Sequence, residues 1–122
     1  MPRVVHFEFA ADDPDRASAF YSDVFGWEID KWGGPCEYWL AQTGEEGEPG
    51  IDGGIARRRE GSQPTTVTLD VPSVDAFAAN VEQAGGQVVV PKAPIPGVGW
   101  IAFCKDTEGN VFGIMEAEAS AT

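Results

Sequence analysis

The sequence has few basic residues and only two cysteines, and each scarcity excludes a class of function. Eight lysines and arginines accompany 20 aspartates and glutamates, which gives a formal net charge of −12. A protein that binds nucleic acid needs a basic surface to neutralise phosphates, so nucleic acid is excluded as an expected partner. Cys36 and Cys104 match no zinc-finger spacing, and we expect both to be free thiols in a reducing cytoplasm.

Long apolar runs are also missing. No stretch approaches the ~20 apolar residues that cross a bilayer, so we expect no membrane segment. The opening residues MPRVVHFEF lack the basic, apolar and small-residue regions of a secretory signal, which predicts a cytoplasmic location. The 43% hydrophobic content of the 122 residues predicts one folded domain with a single core.

The chain repeats one pattern after a shift of 60 residues. The segment HFEFAADDPDRASAFYSDVFGWEI, residues 6–29, lies over TVTLDVPSVDAFAANVEQAGGQVV, residues 66–89, without a gap. Each copy has the pattern of a strand, a helix and three further strands. This predicts an α+β fold of two tandem βαβββ units in one domain. The predicted parts are unit one at about 3–56, a linker at 57–64, unit two at 65–118 and a frayed tail at 119–122.

Capping residues and apolar spacing predict where the two helices lie. Asp12 or Asp13 caps the first helix, Gly26 ends it, and Ser73 caps the second. The predicted apolar stripes are Ala17, Phe20, Tyr21 and Val24 in the first helix, and Phe77, Ala78, Val81 and Ala84 in the second. The strands predicted after the helices are 27–32, 37–42 and 51–56 in unit one, and 87–90, 100–104 and 111–116 in unit two.

The only histidine lies in the first predicted strand, in the stretch RVVHFEF. His6 and Glu8 alternate with the apolar Phe7 and Phe9, so the polar pair shares the face opposite the helix. In the second copy, the 60-residue shift places Thr66 and Thr68 at the positions of His6 and Glu8. We therefore expect these four polar residues to line one surface.

These motifs resemble a known superfamily. The helix motif A-x-x-F-Y-x-x-V-F-G-W and the closing DTEGNVFGIME are similar to those of the vicinal oxygen chelate superfamily. Its members include glyoxalase I, fosfomycin and bleomycin resistance proteins, and extradiol dioxygenases. The resemblance covers nearly the whole chain, and it implies a half-barrel around a concave pocket and a homodimer.

The resemblance also implies where a metal would bind. In metal-using members each unit supplies up to two ligands, one early in its first strand and one in its last strand. His6 occupies the first position, whereas the shift places Thr66, Gly53 and Gly113 at the others. Strand alternation directs Glu116 away from that surface, and only a one-residue bulge would reverse its direction. We therefore expect no metal cofactor, and a divalent metal bound by His6 is the alternative.

A small organic molecule is the expected partner of the polar face. The predicted ligand contacts are His6, Glu8, Thr66, Thr68, Trp39, Trp100 and Met115. The loop PKAPIPGVG is interpreted as a flap or as a simple connection. The run Arg57–Arg59 is interpreted as an anion site or as a solvated linker.

Three functions fit this sequence. The first is binding or sequestration of a small molecule without a metal, as the resemblance to bleomycin resistance proteins implies. The second is an enzyme, either a metal-dependent lyase, isomerase or dioxygenase that uses His6, or a metal-free isomerase or cyclase. In the metal-free enzyme His6 and Glu8 would be the catalytic general-base pair. The third is a protein whose surface serves assembly.

Overall fold

The computed structural model describes residues 2–118 and 120–121. The chain divides into an N-terminal unit of residues 6–66 and a C-terminal unit that contains residues 67–118 together with residues 2–5. The predicted α+β class and the two βαβββ units are confirmed.

The N-terminal unit forms four strands and one helix in the predicted order. Its strands take the spatial order β2-β3-β4-β1, in which β1 and β4 are parallel neighbours and the other pairs are antiparallel. Its elements are β1 (Arg3–Ala11, of which residues 3–5 are grouped with the other unit), α1 (Pro14–Phe25), β2 (Glu28–Lys31), β3 (Trp39–Gln42) and β4 (Gly53–Arg57).

The C-terminal unit repeats this topology. Its strands take the order β6-β7-β8-β5, with β5 and β8 as the parallel pair. Its elements are β5 (Thr65–Asp70, of which residues 65–66 are grouped with the N-terminal unit), α2 (Val74–Gln83), β6 (Gln87–Ile95), β7 (Gly99–Lys105) and β8 (Val111–Ala117). The parallel pair matters for the site because it brings the first and last strands of each unit side by side.

The predicted helix ends are confirmed. Asp13 is the N-cap of α1 and accepts a hydrogen bond from the backbone N–H of Arg16 at 3.1 Å. Gly26 ends α1 with a φ of 74°, a left-handed conformation that favours glycine. Ser73 caps α2 through the backbone N–H of Ala76.

The buried face of α1 differs from the predicted stripe. Ala17 and Tyr21 pack against a core of Ala11, Trp39 and Ile55, as expected. Phe20 and Val24, in contrast, are 56% and 55% exposed. The helix is rotated so that the face centred on Pro14 and Tyr21 meets the sheet, which turns Phe20 and Val24 towards solvent.

The stripe of α2 is confirmed except at its last position. Phe77, Ala78 and Val81 pack against the second core, whose buried residues are Val71, Val74, Ala102, Cys104 and Ile114. Ala84 is exposed and ends the helix as its C-cap, so it contributes nothing to the stripe.

The predicted flap is mostly strand. β6 continues to Ile95, which pairs with Gly99 of β7. Within the loop PKAPIPGVG only residues 96–98 therefore form a turn. Pro91 and Pro94 are tolerated in β6 because it is an edge strand. On the outer side of an edge strand no backbone N–H is needed for pairing.

The arginine run fits the solvated-linker interpretation better than the anion-site one. Arg57 donates to the Glu37 carboxylate at 2.9 Å, and Arg58 donates to Asp12 at 3.0 Å. All four side chains are largely exposed, so each pair adds little stability. Two of the three arginine charges are thus already balanced within the unit.

The last described residues of the chain are held in place. Ala121 is buried, and its carbonyl accepts the N–H of Gly97 at 3.4 Å, so this part of the tail is not frayed. Ala119 and Thr122, also in the predicted tail, lie outside the described residues. Cys36 and Cys104 are free thiols, as expected. Neither helix in the described part of the chain is long and apolar enough to cross a membrane.

Candidate functional site

His6 and Glu8 lie on one face of β1, and the opposite face packs against α1. The ring of Phe9 stacks on Tyr21 of α1, with the centroids 5.2 Å apart. Because side chains alternate along a strand, Phe7 shares the face of Phe9, and the polar pair points the other way. The predicted division of the two faces is confirmed.

A third polar side chain, Tyr38, joins this face. Its hydroxyl lies 2.7 Å from Nε2 of His6, and Tyr38 and Glu8 lie close enough to perturb each other's pKa. Tyr38 lies directly before β3, where its carbonyl accepts the N–H of Trp32 at 2.7 Å. We call these three side chains the His6–Tyr38–Glu8 network.

Burial sets the protonation of the network. It lowers the pKa of His6, and the charge of Asp52 offsets only part of this effect. Burial raises the pKa of Glu8, while the nearby Tyr38 hydroxyl and the charge of Arg59 act in the opposite direction. The pKa of Tyr38 is raised by burial and then by Glu8. At neutral pH, His6 is therefore neutral and Tyr38 keeps its proton.

The contact between His6 and Tyr38 fits either imidazole tautomer. A Tyr38 hydroxyl that donates to Nε2 leaves the His6 hydrogen on Nδ1, and a hydroxyl that accepts from Nε2 leaves Nδ1 as an acceptor.

Gly54 is the residue of β4 that faces the network. The parallel register pairs Glu8 with Gly54 and Phe7 with Gly53. A Cβ at Gly53 would meet the ring of Phe7, whereas a Cβ at Gly54 would overlap the phenol of Tyr38. The sequence prediction of Gly53 at this position is therefore wrong by one residue.

Tyr38 is absent from the residues that the sequence predicts. Its aromatic side chain has the character of a core residue, and it lies just outside a regular strand. Alternation in the segment YWLA is the signal that points to it. Trp39 and Ala41 are buried on the helix side, so Tyr38 and Leu40 belong to the other face.

The C-terminal unit has a smaller and less polar counterpart of this surface. Thr68 is 6% exposed and pairs with Gly113 of β8. A Cβ at Gly113 would come within 2.9 Å of the Thr68 hydroxyl and 3.3 Å of the Phe103 ring. Thr66 and Met115 share this face by strand alternation. The predicted residues of this unit thus lie on one face, and none of them is a strong metal ligand.

Glu116 points away from that face, as alternation predicts. Its Oε1 accepts the backbone N–H of Val74 at 3.0 Å, at the start of α2. Its neighbour two residues earlier, Ile114, is buried in the core beneath the same helix. The carboxylate thus serves as a helix cap.

The two tryptophans predicted as ligand contacts lie on the helix side of their units. Trp39 is 6% exposed and packs with Ala11 and Ile55. Trp100 packs against the core beneath α2, with the ammonium group of Lys92 4.8 Å from its ring centroid. Both positions depart from the sequence prediction, because each indole fills the space between sheet and helix.

Comparison with known families identifies the chain. The model of the Glyoxalase/Bleomycin resistance protein/Dioxygenase superfamily matches residues 3–114. The chain belongs to this superfamily. A curated relative, "Putative glyoxylase CFP32" of Mycobacterium bovis, is 32% identical over 109 residues, which are 86% of this chain and 42% of the relative. A protein of the same name from Mycobacterium tuberculosis matches equally. The chain spans less than half the length of these relatives.

Solved structures of the superfamily share the fold. A methylmalonyl-CoA epimerase of Streptomyces coelicolor, in complex with 2-nitronate-propionyl-CoA, gives a TM-score of 0.71 at 19% identity and covers 98% of this chain and 97% of its own. The epimerase of Mycobacterium tuberculosis gives 0.70 at 16% identity, over 94% and 87%. A superfamily member from Vibrio splendidus gives 0.68 at 16%, over 95% and 99%.

The residues present do not fit the divalent metal of the superfamily's metal-using members. Throughout the described part of the chain, no group of three or more His, Cys, Asp and Glu side chains could hold a metal ion. Nε2 of His6 is hydrogen-bonded to the Tyr38 hydroxyl. The residue of β4 at the expected ligand position is Gly54, which has no side chain. A zinc or iron centre generally uses three or more protein ligands, and this face offers at most two.

Proposed function

We propose that this chain binds a small organic molecule on the face of the His6–Tyr38–Glu8 network, without a divalent metal. The observation that carries the proposal is the position of Tyr38. Its hydroxyl binds Nε2 of His6, and its ring fills the space above Gly54. A ligand on this face therefore meets fixed hydrogen-bonding groups.

The network favours a ligand that donates hydrogen bonds. The oxygens of the Glu8 carboxyl group are hydrogen-bond acceptors on this face. Asp52 adds negative charge near His6, and the whole sequence carries a formal charge of −12. Amines and polyhydroxy compounds match these acceptors, and a cationic amine gains from the charge as well.

Quenching of tryptophan fluorescence tests this proposal. The panel contains an aromatic amine, its neutral alcohol and its carboxylate of the same size, each titrated in the presence of EDTA. We expect the amine to bind most tightly and the carboxylate most weakly. Glu8→Gln should weaken the amine more than the alcohol, whereas Glu46→Gln removes the same charge from an exposed loop and should change neither. Equal affinity of wild type and Glu8→Gln for the amine would contradict the proposal.

A metal-free proton-transfer enzyme is the second candidate, and the protonation of His6 favours it. Burial keeps the imidazole neutral, and the hydrogen bond to Tyr38 fixes its ring. A neutral, fixed imidazole can remove a proton from a carbon acid.

The structural neighbours that act on methylmalonyl-CoA suggest the assay, which is deuterium exchange at C2 of methylmalonyl-CoA in D₂O with EDTA. Enzymatic exchange that is lost in His6→Ala supports this candidate, and no exchange above the buffer rate contradicts it.

The homodimer and the cytoplasmic location stay predictions from the resemblance and the sequence. Light scattering coupled to size exclusion checks the first. We expect twice the mass of one chain, and the mass of a single chain would contradict it.

A further inference from the structure

Gly54 lacks a side chain for a reason of space. It is absent from the glycines with positive φ, so its backbone would accept any residue. It is buried, and a Cβ built on it would overlap the hydroxyl and the ring of Tyr38. The phenol of Tyr38 thus occupies the volume that a side chain at position 54 would take.

A side chain in this volume could serve as a third metal ligand beside His6 and Glu8. β1 and β4 are parallel neighbours, and Gly54 lies directly opposite Glu8 in the register. A carboxylate at position 54 would project on the face of His6 and Glu8 and would complete a set of three ligands. Tyr38 occupies this volume, and its hydroxyl also holds Nε2 of His6 at 2.7 Å.

We propose that Tyr38 is a specificity-determining residue that excludes divalent cations from this face and reserves it for organic ligands. The ring removes the space for a third metal ligand, and the hydroxyl occupies the imidazole nitrogen. This inference rests on the proposed metal-free function, and it assigns that property to one side chain and to the glycine beneath it.

Zinc binding by designed variants is the first test. The variants are Tyr38→Ala with Gly54→Glu, the same pair with His6→Ala added, and wild type. Each is dialysed against Zn²⁺, and the metal retained is measured by mass spectrometry. We expect roughly one Zn²⁺ per chain in the double variant, because a three-ligand set is then complete. The gain should be lost when His6 is also removed.

Thermal unfolding of glycine variants is the second test, and it needs no metal. Gly54→Ala should lower the midpoint of unfolding in wild type, because the new Cβ meets the phenol. In a Tyr38→Ala background the same change should leave the midpoint unchanged or raise it. Gly33→Ala is the matched control, since a Cβ there meets nothing within 4 Å, and it should have no effect in either background.

The outcomes separate this inference from the proposed function. If Gly54→Ala behaves like Gly33→Ala in wild type, the ring does not occupy the space, and the inference is wrong. If the double variant unfolds cooperatively and still retains no more Zn²⁺ than wild type, Tyr38 is not the excluding residue. Zn²⁺ retained by wild type and lost in His6→Ala would instead overturn the metal-free function itself.

Discussion

The hydroxyl of Tyr38 lies 2.7 Å from Nε2 of His6, across 32 residues of sequence. This contact gives the only histidine of the chain a protein partner on the face opposite α1. Because the imidazole nitrogen is engaged and half-buried, the face presents an ordered hydrogen-bonding surface.

The first prediction concerns His6 and pH. Its folded-state pKa is lowered from 6.5, so the unfolded chain binds more protons in mildly acidic solution. The stability that this group contributes is present above pH 6.5 and is lost as the pH falls towards the folded-state pKa. Urea unfolding of wild type should therefore show a loss of stability between about pH 7 and pH 5 that is smaller in His6→Gln. Parallel pH profiles of the two proteins would contradict this.

The second prediction concerns Glu8, whose shift has the opposite sign. The folded-state pKa of Glu8 is raised from 4.5, so its favourable contribution is present below that pH and is lost as the pH rises through the folded-state pKa. Glu8→Gln should therefore be more stable than wild type at neutral pH, and the difference should vanish in acid. Glu46→Gln controls for the loss of one charge, because Glu46 is exposed. An unfolding free energy that falls at neutral pH in Glu8→Gln would show that the carboxylate is stabilising.

The third prediction concerns Glu116 and α2. Glu116→Ala removes the acceptor of the Val74 N–H, and it should lower the free energy of unfolding by about 1 kcal/mol, as the loss of a helix cap does. Glu82→Ala removes an exposed carboxylate from the same helix and should have little effect. Chemical denaturation measures both. Equal stabilities of the two variants would show that Glu116 does not cap the helix.

The fourth prediction separates the core from the binding face. Trp39→Phe shrinks a buried side chain that packs with Ile55, so it should lower the free energy of unfolding by on the order of 1 to 3 kcal/mol. Its affinity for the aromatic amine should equal that of wild type. His6→Ala should show the reverse, with lower affinity and a smaller loss of stability. Weaker binding of the amine by Trp39→Phe would show that Trp39 contributes to the ligand site.

Much of the fold could be predicted because local signals agree with the repeat. Asp13 and Gly26 mark the ends of α1 through capping and a positive φ, and both effects act within a few residues. The alternation around His6 likewise predicts which side chains lie on each face of β1. The rotation of α1, which exposes Phe20 and Val24, depends on packing against the sheet and is not contained in helical spacing alone.

The site was harder to predict because it depends on pairing between distant strands. The gapless alignment covers only the start of each unit, and the turns that follow differ in length between units. The register pairs Glu8 with Gly54 and Thr68 with Gly113, so the offset between the last strands is one residue shorter than the offset between the first strands. For this reason the sequence selected Gly53. Tyr38 was missed because its partner, His6, is 32 residues away.

The metal content of the purified protein tests the central claim most directly. Wild type and His6→Ala are dialysed against Zn²⁺, Mn²⁺ and Fe²⁺ in turn and then against metal-free buffer, and the retained metal per chain is measured. We expect both proteins to retain equal traces, far below one ion per chain, because Tyr38 holds the imidazole and Gly54 offers no ligand. Roughly one ion per chain in wild type, absent from His6→Ala, would contradict the account, since a functional centre needs three or more protein ligands around that histidine.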